Sequence, residues 1–174
     1  MKKRLTIIQM DVHVNDVEYN YNRVQELLTQ SLSEGPDIIV LPETWNTGFY
    51  PSKDLINISD KNGERTKSLL STFAKEHNVN IVGGSVAIAK NDVVFNTSYT
   101  YNRNGELVGE YSKMHGFSPA KEDQYFAGGT HTTHFELDDI PCSTVICYDI
   151  RFPELVRMAA LPGTELLFVP AQWP

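Results

Sequence analysis

The sequence predicts an α/β fold in which helices pack on a sheet with parallel and antiparallel parts. Apolar patterns follow the order β-α-β-α, then a run of β segments, then β-α-β. The run Asp37–Leu41 (DIIVL) is continuously apolar, which is typical of a strand covered on both faces. A chain of 174 residues is long enough to build one core, so we expect a single domain over residues 1–174.

The first unit of the chain is a strand followed by a helix. Leu5–Met10 is apolar and rich in β-formers, which predicts a buried strand. Asn15 or Asp16 then offers an N-cap for a helix that keeps helical apolar spacing to about Ser33. Gly35 and the proline after it end this helix, and the DIIVL strand follows.

The middle of the chain alternates helix and strand and then continues as strands. A loop rich in aromatic residues covers Pro42–Pro51, and Glu64–His77 is predicted to be the second helix. Asn80–Ala89 and Val93–Tyr101 are predicted strands, joined by a hairpin turn at Asn91-Asp92. The remaining predicted elements are four strands and one helix: Glu106–Ser112, Thr133–Leu137, Ser143–Cys147, the helix Pro153–Leu161, and Glu165–Val169.

Composition and charge narrow the classes of function. The net charge is −7 and no run of Lys or Arg forms a basic patch, so nucleic acid and anionic membranes are not expected partners. The longest apolar stretches are of strand length, which predicts no membrane span, and the first stops at Asp11, too short for a signal peptide. The two cysteines, Cys142 and Cys147, form no CxxC pair, so a reducing cytoplasm is the expected setting.

Cys147 lies where an apolar strand gives way to a helix, in the segment STVICYDIRFPEL. At such a junction a helix N-terminus favours a thiolate, so Cys147 is a candidate nucleophile. The alternative is that Cys147 is a small buried hydrophobe, as most free cysteines are. Glu43 and Lys113 also follow predicted strands, and ligand sites of open α/β sheets lie off the carboxyl ends of strands. The alternative for this pair is a loop acid and a solvated surface base.

Three segments together resemble the signature blocks of the nitrilase (carbon–nitrogen hydrolase) superfamily: VLPETWNTGF, YSKMHGFSP and ICYDIRFPEL. The resemblance spans Leu5 to Pro174 and is greatest to the ω-amidase branch. It implies an α-β-β-α sandwich with Glu43 as general base, Lys113 as the catalytic lysine and Cys147 as nucleophile. Members of the superfamily continue beyond the position of Pro174, so the resemblance also implies a chain that lacks the C-terminal part.

The resemblance implies hydrolysis of the terminal amide of a small carboxylate-bearing substrate of the 2-oxoglutaramate type, through a cysteine thioester. It places the Lys113 ammonium and the backbone N–H of Tyr148 on the oxyanion, and it implies no metal and no organic cofactor. Glu122, in AKEDQYFAGG, stands where family members carry a glutamate that positions the lysine, and its alternative role is a solvated loop acid.

The same resemblance does not determine the substrate or whether this chain is active as an enzyme. Nitrile and N-carbamoyl hydrolysis use the same residues, and a silent fragment that acts only by association with a partner is the alternative to an enzyme. Family members usually pair, so a homodimer or a higher homo-oligomer is expected.

Further candidates are less specific. Arg151 is expected to bind a substrate carboxylate or, preferably, to pair with an acid such as Glu154. The aromatic residues Trp45, Phe49, Tyr50 and Trp173 are either pocket-lining or core.

The histidines raise two alternatives, a Cys–His hydrolase and a zinc site, and the sequence favours neither. His115, close to Lys113, raises the alternative of a Cys–His hydrolase, against which the resemblance places a glutamate as base. His131 and His134 lack an acidic or cysteine ligand at a suitable spacing, so we expect no zinc site.

Overall fold

The computed structural model describes residues 2–172, which form two β-sheets and several helices. The strands among these residues are β1 (Leu5–Ile7), β2 (Ile38–Val40), β3 (Asp60–Lys61), β4 (Asn80–Val82), β5 (Val86–Lys90), β6 (Val93–Tyr101), β7 (Leu107–Ser112), β8 (Thr133–Leu137), β9 (Ile140–Thr144) and β10 (Leu166–Phe168). The α-helices are α1 (Val17–Ser31), α2 (Leu55–Ile58), α3 (Glu64–His77), α4 (Glu122–Tyr125) and α5 (Pro153–Ala160). Short 3-10 turns cover Leu32–Glu34, Ser118–Ala120 and Cys147–Arg151. No helix of residues 2–172 has the length and apolar character needed to cross a membrane.

Both sheets have the topology of an α/β layered fold. In the first sheet β2 is parallel to β1 and β4, while β6 is antiparallel to β4, β5 and β7. In the second sheet β9 is parallel to β10 and antiparallel to β8. The prediction of a fold with parallel and antiparallel strands is therefore confirmed.

Three apolar interfaces hold the layers together. One face of α1 and α3 covers the first sheet through buried side chains that include Tyr21, Val24, Leu28, Leu70 and Phe73. The two sheets meet through six buried residues, Ile38, Val82, Phe135, Leu137, Cys142 and Phe168. The helix α5 packs on the other side of the second sheet through Leu155, Ala159 and Val145. These layers are the α-β-β-α sandwich that the resemblance implied.

A charged network joins the turns at one end of the two sheets. Arg103, in the turn between β6 and β7, donates to both carboxylate oxygens of Asp138, each at 2.7 Å. The same guanidinium donates to Asp37 at 2.8 Å, and Lys3 binds Asp138 at 2.8 Å. Because Asp138 belongs to the β8–β9 turn and Asp37 precedes β2, this network links the two sheets.

Most predicted elements are present at the expected places. The helix α1 is capped by Asp16, whose side chain accepts the N–H of Tyr19 at 3.1 Å. The helix α3 has the predicted bounds, and the turn residues Asn91 and Asp92 both adopt positive φ, 50° and 61°.

Three strand predictions are wrong in extent or environment. The predicted strand Asn80–Ala89 is broken between β4 and β5, because Gly84 has a φ of +62° and passes so close to Pro42 that a Cβ would lie 2.0 Å from its carbonyl oxygen. The first strand is a short sheet edge rather than a buried strand, and its Ile7 side chain is 70 % exposed. The strand β9 ends at Thr144, three residues earlier than predicted, so Cys147 lies on a separate turn.

Candidate active site

Four predicted residues converge in the interior of the protein. Glu43 follows β2, Lys113 follows β7 and Cys147 follows β9, while Glu122 is the first residue of α4. Their exposures are 0 %, 3 %, 7 % and 2 %, respectively. The fold therefore brings together groups from four separate segments. The alternatives of a solvated acid for Glu122 and a solvated surface base for Lys113 are wrong, and the loop acid Glu43 is fully buried.

Lys113 lies between two carboxylates. Its Nζ is 2.8 Å from Glu43 Oε1 and 3.0 and 2.7 Å from the two carboxylate oxygens of Glu122. Burial by itself would lower the pKa of Lys113, but the negative charges of Glu43 and Glu122 raise that pKa above its ordinary value. The lysine is therefore an ammonium at neutral pH.

Glu43 has the surroundings of a buried general base. Burial raises its pKa above the ordinary value, while the charge of Lys113 and a hydrogen bond with Cys147 act to lower it. Its Oε2 accepts the backbone N–H of Gln172 at 3.0 Å. The loop that carries Glu43 is held by Ser85, whose hydroxyl accepts the N–H of Thr44 at 3.0 Å.

Cys147 begins the 3-10 turn Cys147–Arg151 with a φ of +46°, which is uncommon for a residue other than glycine. Its N–H donates to the carbonyl of Pro170 at 2.9 Å, which fixes the start of the turn. Burial and the hydrogen-bonded carboxylate of Glu43 raise the pKa of the Cys147 thiol to about 12, although the Lys113 ammonium acts to lower it. The thiol is thus protonated at neutral pH.

The expectation that a helix N-terminus favours the Cys147 thiolate is wrong. The α-helix after this segment begins at Pro153, and only a short 3-10 turn starts at Cys147. The effect of a helix dipole is confined to the first turn, so α5 contributes little at the thiol. The nearby negative charge of Glu43 acts in the opposite direction.

Asn96 is part of this site, although the sequence reasoning did not select it. Its side-chain amide, on β6, donates to Glu43 Oε1 at 3.1 Å and to Glu122 Oε1 at 3.0 Å. The signal that would have found it is an amide within the buried strand VVFNTSYTY. Glu122 is fixed further by the N–H of Phe117, which donates to Oε2 at 2.8 Å.

Asp149 is the second residue that the sequence reasoning missed. This fully buried carboxylate accepts the hydroxyl of Tyr111 at 2.7 Å, the N–H of Ile146 at 3.2 Å and the N–H of His115 at 2.9 Å. It therefore ties the turn that carries Cys147 to the segment that carries Lys113. Its signal in the sequence is an acid two residues after the candidate nucleophile.

The histidine alternatives receive no support from the geometry. His115 Nδ1 lies 2.8 Å from Asp149 Oδ1, and the ring stacks on Phe152 with centroids 3.6 Å apart. The titratable groups that act on the Cys147 thiol are Glu43, which raises its pKa beyond the effect of burial, and Lys113, which lowers it. His134 Nδ1 lies 2.8 Å from the hydroxyl of Ser143, and among residues 2–172 no cluster of three or more His, Cys, Asp or Glu side chains is arranged to hold a metal ion.

The aromatic candidates divide between the site loops and the core. Phe49, Phe117 and Tyr148 form a connected series of rings, with centroids 6.3 Å apart for the first pair and 5.1 Å for the second. Tyr148 directly follows Cys147 in the chain, and substrate contact by Phe49 and Tyr148 stays a prediction. Trp45 is instead a core residue, since it has no exposed surface, packs edge-on against Tyr21 and donates its indole N–H to Gly83 at 2.9 Å.

Three further candidates are Tyr50, Arg151 and Trp173. Tyr50 is 57 % exposed and contacts Phe49 with ring centroids 5.5 Å apart. Arg151 is exposed at the end of the 3-10 turn, and its role stays a prediction. Trp173 lies outside the described residues.

Comparison with known proteins identifies the family to which this chain belongs. The profile of the carbon-nitrogen hydrolase family matches residues 4–174. The 2-oxoglutaramate amidase of Bacillus subtilis is 38 % identical over 174 residues, which cover 100 % of this chain and 66 % of that protein. An omega-amidase of Danio rerio is 30 % identical over 181 residues, which cover 97 % of this chain and 63 % of that protein.

A solved structure shares the fold. A mutant of the amidase from Nesterenkonia sp. AN1, which shows Michael addition of acrylamide at its active-site cysteine, superposes with a TM-score of 0.87. Its sequence identity is 23 %, and the match covers 98 % of this chain and 67 % of that one. The present chain thus spans about two thirds of the length of the proteins it matches.

Proposed function

This chain belongs to the carbon-nitrogen hydrolase family, and we propose that it is an amidase that acts through a cysteine thioester. The observation that carries the proposal is the buried arrangement of Glu43, the Lys113 ammonium at 2.8 Å from it, and the Cys147 thiol, whose pKa burial and Glu43 both raise. This arrangement brings a candidate base, a cation and a candidate nucleophile together in one place. The proposed substrate is a small amide that bears a carboxylate, of the 2-oxoglutaramate type. The 2-oxoglutaramate amidase of Bacillus subtilis supports that choice.

In the first step Glu43 takes the proton of the Cys147 thiol while the sulfur attacks the amide carbon. The raised pKa of the thiol keeps it protonated until substrate is bound, so proton transfer and C–S bond formation are coupled. The raised pKa of Glu43 makes it a stronger base than an exposed carboxylate, which favours this transfer.

The tetrahedral intermediate carries a negative charge on the former carbonyl oxygen. In this proposal the Lys113 ammonium and the backbone N–H of Tyr148 donate to that oxygen. Each such donor contributes about 3 kcal/mol to the stabilisation of an oxyanion. Glu43 and Glu122 hold Lys113 in place, so its charge is already oriented when the oxyanion forms.

The intermediate collapses when Glu43 returns its proton to the amide nitrogen. The C–N bond breaks, ammonia leaves, and the acyl group stays on Cys147 as a thioester. Glu43 then takes a proton from a water molecule, and the resulting hydroxide attacks the thioester carbon. Cleavage of the C–S bond releases the carboxylic acid, and the proton held by Glu43 returns to the thiol.

The test is a panel of substrates offered to the wild-type chain, with ammonia release and product mass as readouts. The panel contains 2-oxoglutaramate, butyramide as a neutral amide, a nitrile with the same carboxylate-bearing skeleton, and an N-carbamoyl amino acid. We expect 2-oxoglutaramate to have the highest kcat/KM. Hydrolysis of the nitrile or the N-carbamoyl compound in preference to every amide would contradict the amidase assignment. No turnover of any member by a folded chain would favour the silent alternative.

A further inference from the structure

One side-chain amide connects the two glutamates of the site. We propose that Asn96 is a positioning residue, which holds Glu43 and Glu122 against Lys113 and keeps Glu43 in its ionised form. This inference rests on the proposed function, because it concerns the readiness of the base that the mechanism requires.

The contacts of Asn96 complete a closed ring of hydrogen bonds. Its Nδ2 donates to Oε1 of Glu43 and to Oε1 of Glu122, at 3.1 and 3.0 Å. The ammonium of Lys113 donates to the same two oxygens, at 2.8 and 3.0 Å. The amide nitrogen has two hydrogens, so it can serve both carboxylates at once. Two donors therefore hold together two groups that would repel each other when both are ionised.

The orientation of the Asn96 amide is set by this arrangement. The reverse orientation would direct Oδ1, an acceptor, at two carboxylates. In the observed orientation Oδ1 is buried and has no hydrogen-bond partner among the described residues. An unpartnered buried acceptor is destabilising, and such local costs concentrate at functional sites. The donor side of the amide is thus the side that the site uses.

The same residue also fixes the main chain of the lysine. The backbone carbonyl of Asn96 accepts the N–H of Lys113 at 2.9 Å, and the Asn96 side chain is 1 % exposed. A residue held by strand β6 thus determines the separation of Lys113 from both glutamates.

A hydrogen bond donated to a carboxylate favours its charged form. The charged and titratable groups that face Glu43 are Lys113, Glu122 and the Cys147 thiol, of which only Lys113 is a cation. Asn96 adds a neutral donor to this group, and it opposes the burial that raises the pKa of Glu43. Without Asn96, we expect Glu43 to take up a proton at a higher pH and to be lost as a base there.

The experiment measures kcat/KM for 2-oxoglutaramate against pH in Asn96→Leu, Asn96→Asp and Asn96→Ser. The matched controls are Asn80→Leu and Asn80→Asp. Asn80 is a fully buried strand asparagine whose Nδ2 donates to the carbonyl of Asp37 at 3.0 Å, and its Oδ1 also lacks a partner among the described residues. Circular dichroism and thermal melting establish that each variant is folded.

We expect the acid limb of the Asn96→Leu profile to move up by about one pH unit, the size of one lost charge-assisted hydrogen bond, with the loss in kcat and not in KM. Asn96→Asp keeps the shape of the side chain but adds a negative charge beside two carboxylates. The acid limb of its pH profile should therefore move up by at least as much as that of Asn96→Leu. Asn96→Ser retains one donor and falls between the wild type and Asn96→Leu. The Asn80 variants keep the wild-type limb.

A merely structural role for Asn96 predicts another pattern. The isosteric Asn96→Asp would then be milder than Asn96→Leu, or the limb would stay in place, and either result overturns the inference. If Asn96→Leu and Asn96→Asp do not fold, Asn96→Ser gives the test: an acid limb that moves up supports the inference, and an unmoved acid limb overturns it. A wild-type chain inactive on every amide contradicts the proposed function. An active wild type with unmoved Asn96 variants contradicts this inference alone.

Discussion

The thiol of Cys147 and the carboxylate of Glu43 are both buried and interact electrostatically. Burial and this carboxylate raise the pKa of the thiol to about 12, so the resting thiol is neutral. The pair differs in this respect from a thiolate held ready by a cation or a helix N-terminus. In the proposed mechanism, Glu43 therefore takes the proton of Cys147 during the attack rather than before it.

The first prediction concerns the reactivity of the resting thiol. Cys147 and Cys142 are both expected to react slowly with iodoacetamide at pH 7, because burial first of all raises their pKa values to about 12 and about 11. The measurement is the alkylation rate of each thiol against pH, read by peptide mass spectrometry. A fast reaction of Cys147 alone, with a midpoint near neutral pH, would show a preformed thiolate.

The second prediction separates the acidity of the thiol from catalysis. Glu43→Gln removes the negative charge beside Cys147 and leaves the Lys113 ammonium, so the thiol pKa falls and alkylation at pH 8 becomes faster. The same variant lacks the base, so kcat/KM for the amide falls by about 10³-fold. Cys142 serves as the internal standard for alkylation. An unchanged alkylation profile would mean that Glu43 does not act on the thiol.

The third prediction concerns the buried lysine. Lys113→Met leaves the carboxylates of Glu43 and Glu122 buried without their cation, which destabilises the fold by about 3–5 kcal/mol. Loss of the oxyanion donor lowers kcat/KM by about 10²-fold or more. The control is Lys121→Met, at an exposed position, which should leave melting temperature and activity nearly unchanged. Equal effects of the two substitutions would contradict the role of Lys113 as a buried counter-charge and oxyanion donor.

The fourth prediction concerns acid stability. The hydrogen bonds from Arg103 and Lys3 hold the pKa of Asp138 well below its ordinary value of 3.8, so this contribution to stability is present above pH 4 and is lost as the pH falls further. Arg103→Met is expected to lower the melting temperature by about 4–8 °C at pH 7, for a loss of about 2 kcal/mol. The gap between wild type and variant should shrink between pH 4 and pH 2.

The control for this prediction is Arg23→Met, which removes an exposed ion pair with Glu26 that contributes little. A gap between wild type and Arg103→Met that stays constant down to pH 2 would show that the contribution is packing rather than charge.

The sequence predicted where the site lies because ligand sites of open α/β sheets lie at the carboxyl ends of strands. Glu43, Lys113 and Cys147 each follow an apolar run that the pattern identifies as a strand. Their convergence needed the resemblance to a known family as well, since spacing along the chain does not specify distance in space. The pairing of copies and the cytoplasmic setting stay predictions.

The parts that the sequence did not predict depend on contacts between distant segments. Asn96 and Asp149 have no periodic signal, and each acquires its role from partners on other elements. The raised pKa of Cys147 depends on burial and on Glu43, which only the fold brings near. The break at Gly84 likewise reflects the close passage of the Pro42 carbonyl, which no local pattern records.

The most direct test of the account compares ammonia release from 2-oxoglutaramate by the wild type, Cys147→Ala and Cys142→Ala. Both cysteines are buried, but it is the Cys147 thiol on which Glu43 acts, so only the loss of Cys147 should remove the nucleophile. We expect Cys142→Ala to retain activity in proportion to its folded fraction, and Cys147→Ala to release no ammonia above the uncatalysed rate. Ammonia release by a folded Cys147→Ala at a rate near that of the wild type would contradict the thioester mechanism and the assignment of this site.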